Sequence, residues 1–173
     1  DILYKGQVPT WLSIPKPAGF EVIHFHGKKG GALVSVYDKL HEKIRWTNHW
    51  VATPLRWFDE ILGFPLRSYI PRTIKSQHLN LLDESIQIEF PDIYATMKWK
   101  DLAILDHFYS KTDANYLFMT TTSSYLRPHK LMDVINSLPV HGLYAGAVAY
   151  QGARFAAGNN RLYSRDVVKR ILE

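Results

Sequence analysis

Asn115-Tyr116-Leu117-Phe118-Met119-Thr120-Thr121-Thr122-Ser123-Ser124 joins a strand-length apolar run to five consecutive hydroxyl residues. A short apolar run without alternation suits a strand covered on both faces, so 115–119 is expected to be a buried central strand of an α/β sheet. In open α/β sheets ligands settle beyond the carboxyl ends of strands. The hydroxyl run stands at that place, and its side chains and backbone N–H groups are able to hold phosphate or sugar oxygens. A plainer use is also open, and is the commoner one: Thr continues the strand and Ser caps the next helix.

Downstream, Pro128 falls near the start of a helix through Leu131, Val134, Ile135 and Leu138, which Pro139 closes. Tyr144 to Tyr150 reads as an apolar strand. Gly158-Asn159-Asn160 reads as a compact turn, because Gly and Asn tolerate positive φ. Ser164 then caps a helix from Asp166 to Leu172 with Val167, Val168, Ile171 and Leu172 inward. Upstream, Met97, Leu102, Leu105, Phe108 and Tyr109 give residues 94–110 a helical register. Two helices are expected over 33–62, broken at Pro54, and a short strand over Leu66–Ile70. Gly19 to Gly27 alternates as a strand does, and Pro15 and Pro17 keep residues 1–18 from forming a long helix. Strands alternating with helices predict one α/β domain over residues 1–173, with helices on both faces of its sheet.

Composition narrows the chemistry. Hydrophobic residues at 46% and charged residues at 21% suit a globular core, and exclude a disordered chain. No cysteine is present, which excludes a disulfide scaffold, a thiolate metal site and a cysteine nucleophile, and leans towards a reducing, cytoplasmic location. The net charge of +5 suits a phosphate-bearing partner or an anionic membrane surface. A nucleic-acid partner rests on that charge alone, without a recognisable motif, and is not expected. The chain lacks a Gly-x-Ser-x-Gly elbow, a P-loop and a Gly-x-Gly-x-x-Gly fingerprint. His24 and His26 share one face of a strand, but no third ligand stands near them in sequence, so no metal site is assigned.

Four blocks, in order, resemble the β1,3-galactosyltransferase and Fringe-like glycosyltransferases. Phe90, Asp92, Tyr94 and Lys100 fall on matching positions of the Phe-x-Asp-Ser-Tyr-x-Asn-Leu-Thr-x-Lys block, with Glu84 upstream. The 115–119 run stands where that family has the strand before its three aspartates. Tyr144-Ala145-Gly146 resembles the next strand start, and Phe155 to Asp166 resembles the Tyr-x-Ser-Gly-x-Gly-Tyr-x-x-Ser-x-Asp block. Nearer the beginning, Pro9-Thr10-Trp11-Leu12 resembles the Arg-x-Thr-Trp stretch after the family's first strand, which would then lie mostly upstream of Asp1.

The resemblance implies a GT-A fold: a single Rossmann-type mixed sheet, incomplete here at both ends. It implies a hexosyltransferase that takes a nucleotide-sugar donor and transfers the sugar, with inversion, to a hydroxyl of a glycan or polysaccharide acceptor. On that alignment Thr121, Thr122 and Ser123 face the donor, with Asp92 and Lys100 on the donor side and Gly158 and Asn159 on the acceptor side. Two departures stand out. Thr121, Thr122 and Ser123 occupy the family's aspartate positions, where carboxylates usually hold Mn²⁺ or Mg²⁺; hydroxyls are poor ligands for these ions. The family's catalytic base belongs to a Glu/Asp-Asp-Val-x-x-Gly segment expected beyond Glu173, so no catalytic residue is assigned. A module of the same fold that binds nucleotide or carbohydrate without catalysis is the alternative.

Overall fold

The computed structural model describes residues 7, 10–28, 75–77, 84–91, 96–150 and 154–173. The expected helices over 33–62, the expected strand over 66–70 and Asp92 lie outside the described residues. The chain divides into two compact units, one of residues 1–22, 79–83 and 105–173, the other of residues 23–78 and 84–104.

The second unit is built on three strands: β1 (Ile23–Lys28), β2 (Lys75–Gln77) and β3 (Glu84–Pro91), in the order β1-β3-β2. β3 pairs parallel with β1, Phe25 opposite Ile86, and antiparallel with β2. Its Ile86 and Ile88 are fully buried. Two residues apart on a strand, they share one face of the sheet. They pack with Phe25 and with Ala103 of helix α1 (Met97–Lys111). Just before α1, the hydroxyl of Thr96 donates to the carbonyl of Pro91, tying the end of β3 to the helix start.

The other unit holds β4 (Tyr116–Met119), α2 (Pro128–Asn136), β5 (Tyr144–Tyr150), β6 (Arg154–Ser164) and α3 (Arg165–Leu172). The strand order is β4-β6-β5, antiparallel throughout. The mixed α/β class expected from the sequence is therefore present. Among the described residues its strands form two three-stranded sheets, where one sheet was expected.

The expectation of a buried central strand at 115–119 needs correction. Among the described strands β4 pairs with β6 alone and stands at the sheet edge; β6 is the central strand. Only Met119 of β4 is buried, and Tyr116, Leu117 and Phe118 are half-buried. The run is apolar because an aromatic or aliphatic side chain keeps part of its surface covered on either face of an edge strand, not because both faces are sealed.

Two side chains fix α3 at the end of β6. Ser164 holds the N-cap position, but its side chain makes no capping bond. The buried Ser164 hydroxyl instead accepts from the Leu143 N–H at 2.9 Å and donates to Asp166 Oδ1 at 2.6 Å. The Asp166 carboxylate also accepts from the Gly142 N–H, at 3.2 and 3.0 Å to its two oxygens. The Ser164 hydroxyl foremost, then the Gly142 N–H, hold the Asp166 carboxyl below its ordinary value against the opposing effect of desolvation. Next to it, Arg165 reaches back to the end of α1. Its guanidinium donates to the carbonyls of Tyr109 at 2.7 Å and Ala114 at 3.2 Å, and stacks over the Phe108 and Tyr109 rings. A cation at a helix carboxyl end satisfies orphan carbonyls and meets the favourable end of the helix dipole.

Candidate functional site

The hydroxyl run leaves the carboxyl end of β4 and folds at once into a tight turn. The Ser124 N–H donates to the Thr121 carbonyl at 3.0 Å, so Thr121 to Ser124 form a four-residue turn with Thr122 and Ser123 at its tip. Small hydroxyl residues suit such a turn because their side chains bond locally. The Thr121 hydroxyl lies 3.0 Å from that of Ser123 and 3.2 Å from that of Ser124. The structure thus brings Thr121 and Ser123 together, with Thr122 exposed between them. A hydroxyl both donates and accepts, so this chain of three leaves capacity at its ends for another oxygen.

Beside the turn stands an irregularity of β6. Gly146 of β5 pairs with Arg161 and Val148 with Ala156, so residues 157–160 of β6 oppose the single residue Ala147. This is a bulge of four residues against one, and at its end Asn160 takes φ 58°. The expected compact turn at Gly158-Asn159-Asn160 is corrected on this point: these residues lie inside the eleven-residue strand β6, and the left-handed conformation is met at Asn160. Asn tolerates that region at little cost, because its short amide side chain bonds locally.

The bulge meets the start of the hydroxyl run. β4 and β6 pair up to Met119 opposite Arg161, and one step further the Thr120 hydroxyl donates to Asn160 Oδ1 at 2.6 Å. The segment expected to face the donor and the segment expected to face the acceptor are neighbours through this contact. Gly146 makes the arrangement fit. A Cβ there would stand 2.8 Å from the Ala156 Cβ and 2.9 Å from the Asn160 carbonyl oxygen. Of the other residues assigned from the resemblance, Lys100 is a half-buried residue of α1 in the second unit, and Asp92 lies outside the described residues.

Gln7 was not expected here. Its side chain is buried, and its amide nitrogen donates to the carbonyls of both Thr121 and Ser124, each at 3.2 Å. No local sequence signal marks it, since its partners lie more than a hundred residues away. Trp11 and Leu12 are buried in a cluster that includes Leu126, and His129 Nε2 lies 3.1 Å from the Pro15 carbonyl. Among the described residues the buried Trp11 indole N–H has no acceptor.

The geometry offers oxygen-rich, hydrogen-bonding surface rather than a cation cage. Among the described residues, no three His, Asp or Glu side chains stand close enough to hold a metal ion, and no helix is long and apolar enough to cross a membrane. Family models, curated proteins and solved structures were all compared with the chain, and none matches it.

Proposed function

We propose that this chain is a GT-A-like glycosyltransferase domain that binds a nucleotide-sugar and passes its sugar to a hydroxyl of a glycan or polysaccharide. The observation that carries this reading is the meeting of two segments at the carboxyl end of β4. The Thr121–Ser124 turn and the β6 bulge adjoin through the Thr120–Asn160 hydrogen bond. In this reading the hydroxyls and turn-tip N–H groups of Thr121, Thr122 and Ser123 bind ribose and phosphate oxygens. Asp92 and Lys100 serve the donor side, and Gly158 and Asn159 shape the acceptor side. Inverting transfer is a direct displacement. A base removes the acceptor proton as the acceptor oxygen bonds to the anomeric carbon, and the nucleoside diphosphate leaves with the pair of electrons of the broken C–O bond. The developing diphosphate charge must be stabilised, and Lys and Arg side chains are suited to that task without a metal.

A second reading keeps the binding and drops the transfer. It is favoured by Thr121 and Ser123, whose hydroxyls bond to one another where carboxylates would gather a cation. One experiment addresses both. Calorimetry with uridine, guanosine and thymidine diphosphates is expected to show at least one binder. Sugar transfer from the matching nucleotide-sugar to acceptor glycans, assayed with a longer chain that carries the expected acidic segment, then separates enzyme from binding module. Absence of heat with all three nucleotides counts heavily against the glycosyltransferase reading, and absence of heat with glycans as well defeats the binding module.

A further inference from the structure

We infer that Gln7 is the positioning residue of the hydroxyl turn: its amide clamps the two ends of the turn and presets the turn-tip N–H groups and hydroxyls for a nucleoside diphosphate. The ligand in this statement rests on the reading just given; the clamp itself rests on geometry. A primary amide carries two N–H donors on one nitrogen. Gln7 spends that nitrogen on two acceptors, the carbonyls of Thr121 and Ser124, which are the first and last residues of the turn. Bridging the two ends fixes the span of the turn from outside, in addition to the Ser124-to-Thr121 bond that closes it from within.

The segment that carries Gln7 is itself anchored. The Thr10 hydroxyl donates to the Gln7 carbonyl at 3.1 Å, Trp11 and Leu12 pack with Leu126 just past the turn, and Pro15 meets His129 at the start of α2. Gln7 against Thr121, Trp11 and Leu12 against Leu126, and Pro15 against His129 advance together along both segments. Gln7 and residues 10–15 therefore lie as a strap alongside 121–129, and the buried Gln7 amide is its contact with the turn. A binding loop held at both ends before its ligand arrives loses less freedom on binding. Gln7 touches no ligand in this scheme; it acts through the turn.

The test uses the 173-residue chain and two variants. Gln7→Glu keeps the shape and replaces the donating nitrogen by an oxygen that two carbonyls repel. Gln7→Met keeps the length without polarity, and stands in if the buried carboxylate prevents folding. Amide exchange at Ser124 is expected to quicken about tenfold, the worth of roughly one hydrogen bond. Exchange in the β4–β6 ladder at Leu117 and Tyr163 is expected to stay unchanged, as is the melting temperature within about 3 °C. Affinity for the nucleoside diphosphate that the parent binds is expected to fall by a similar factor. Equal quickening at Ser124 and in the ladder makes Gln7 a general stability residue and overturns the inference. So does a Gln7→Met protein with parental exchange at Ser124 or parental nucleotide affinity. If the parent binds none of the three nucleoside diphosphates while Ser124 alone responds, the clamp stands and the nucleotide reading falls.

Discussion

At Gly146 the backbone of β6 comes so close that only hydrogen fits. The atoms in the way are the Ala156 Cβ and the Asn160 carbonyl oxygen, neither of which is the tip of a flexible side chain. Gly146→Ala is therefore expected to lower stability by about 1–3 kcal/mol, the usual cost of overpacking, and to disturb the bulge first. Thermal melting and the amide shifts of Asn160 and Arg161 measure this; a melting temperature equal to the parent's defeats it. A milder change probes the proposed acceptor side. Asn159→Ala, in a longer chain that carries the expected acidic segment, is expected to preserve melting and nucleotide affinity and to reduce transfer. Parental transfer in that variant removes Asn159 from the site. Sequence reading reached these residues for partly the wrong reason. Gly158, Asn159 and Asn160 do mark a departure from regular backbone, and Asn160 does take positive φ. The departure is a bulge inside a strand, because the flanking β5 supplies hydrogen-bond partners on both sides of it. Turn-forming residues report local conformation, and cannot report whether a neighbouring strand resumes pairing beyond them.

Elements whose cause is local were the legible ones. Pro128 starts α2 and Tyr144–Tyr150 forms β5 as expected, and α3 begins one residue before the expected Asp166. The helix expected over 94–110 is α1, Met97–Lys111. β3 is an element that the sequence reading does not contain, although Ser85, Ile86, Gln87 and Ile88 alternate cleanly; of its residues Phe90 enters as part of a motif and Glu84 as its upstream neighbour. The Ser164 cap was a natural reading of Ser-Arg-Asp, yet the hydroxyl is drawn to Leu143 and Asp166 by tertiary proximity that no cap rule contains. Two expected outcomes belong to this junction. Arg165→Met is expected to cost about 1–3 kcal/mol, because charge-assisted bonds from the end of α1 are lost at once while much of the packing stays. Denaturant midpoints at constant m-value check it, and a shift below about 0.3 kcal/mol defeats it. Asp166 gives the junction a pH dependence. Its folded pKa is depressed, so the carboxylate's contribution is full above the ordinary aspartate value of about 3.9 and is lost as pH falls through the lower folded value. The melting temperature of the parent is expected to exceed that of Asp166→Asn at neutral pH and to approach it below about pH 4. A gap that keeps its size into acid contradicts this account.

Across the whole molecule, pairing between distant segments decides what local pattern leaves open. The described strands sort into two sheets, and the hydroxyl turn is held by Gln7, 114 residues before Thr121. Neither fact has a signature in any window of sequence, whereas the excess of 21 Lys and Arg over 16 Asp and Glu is a global property that sequence states outright. That excess, together with hydroxyls at 121–123, bears on how a diphosphate would be held. A divalent cation bound by carboxylates makes nucleotide affinity strongly dependent on Mn²⁺ or Mg²⁺ and removable by chelator. Protein cations make it dependent on ionic strength instead, since a longer Debye length at low salt lets dispersed charges act together. For whichever nucleoside diphosphate binds, affinity is expected to change less than about threefold on adding millimolar Mn²⁺ or Mg²⁺, and to weaken severalfold between roughly 50 and 300 mM sodium chloride. Titration calorimetry under the four conditions, with chelator as control, measures both slopes. A tenfold or greater gain with either ion, reversed by chelator, contradicts the metal-independent account. Carboxylates beyond those described, Asp92 first, then become the ligands to replace by Asn. If the metal gain survives Asp92→Asn, that residue is not the ligand; if it disappears with folding intact, the cation is held there, and the hydroxyl turn keeps only the sugar and phosphate oxygens.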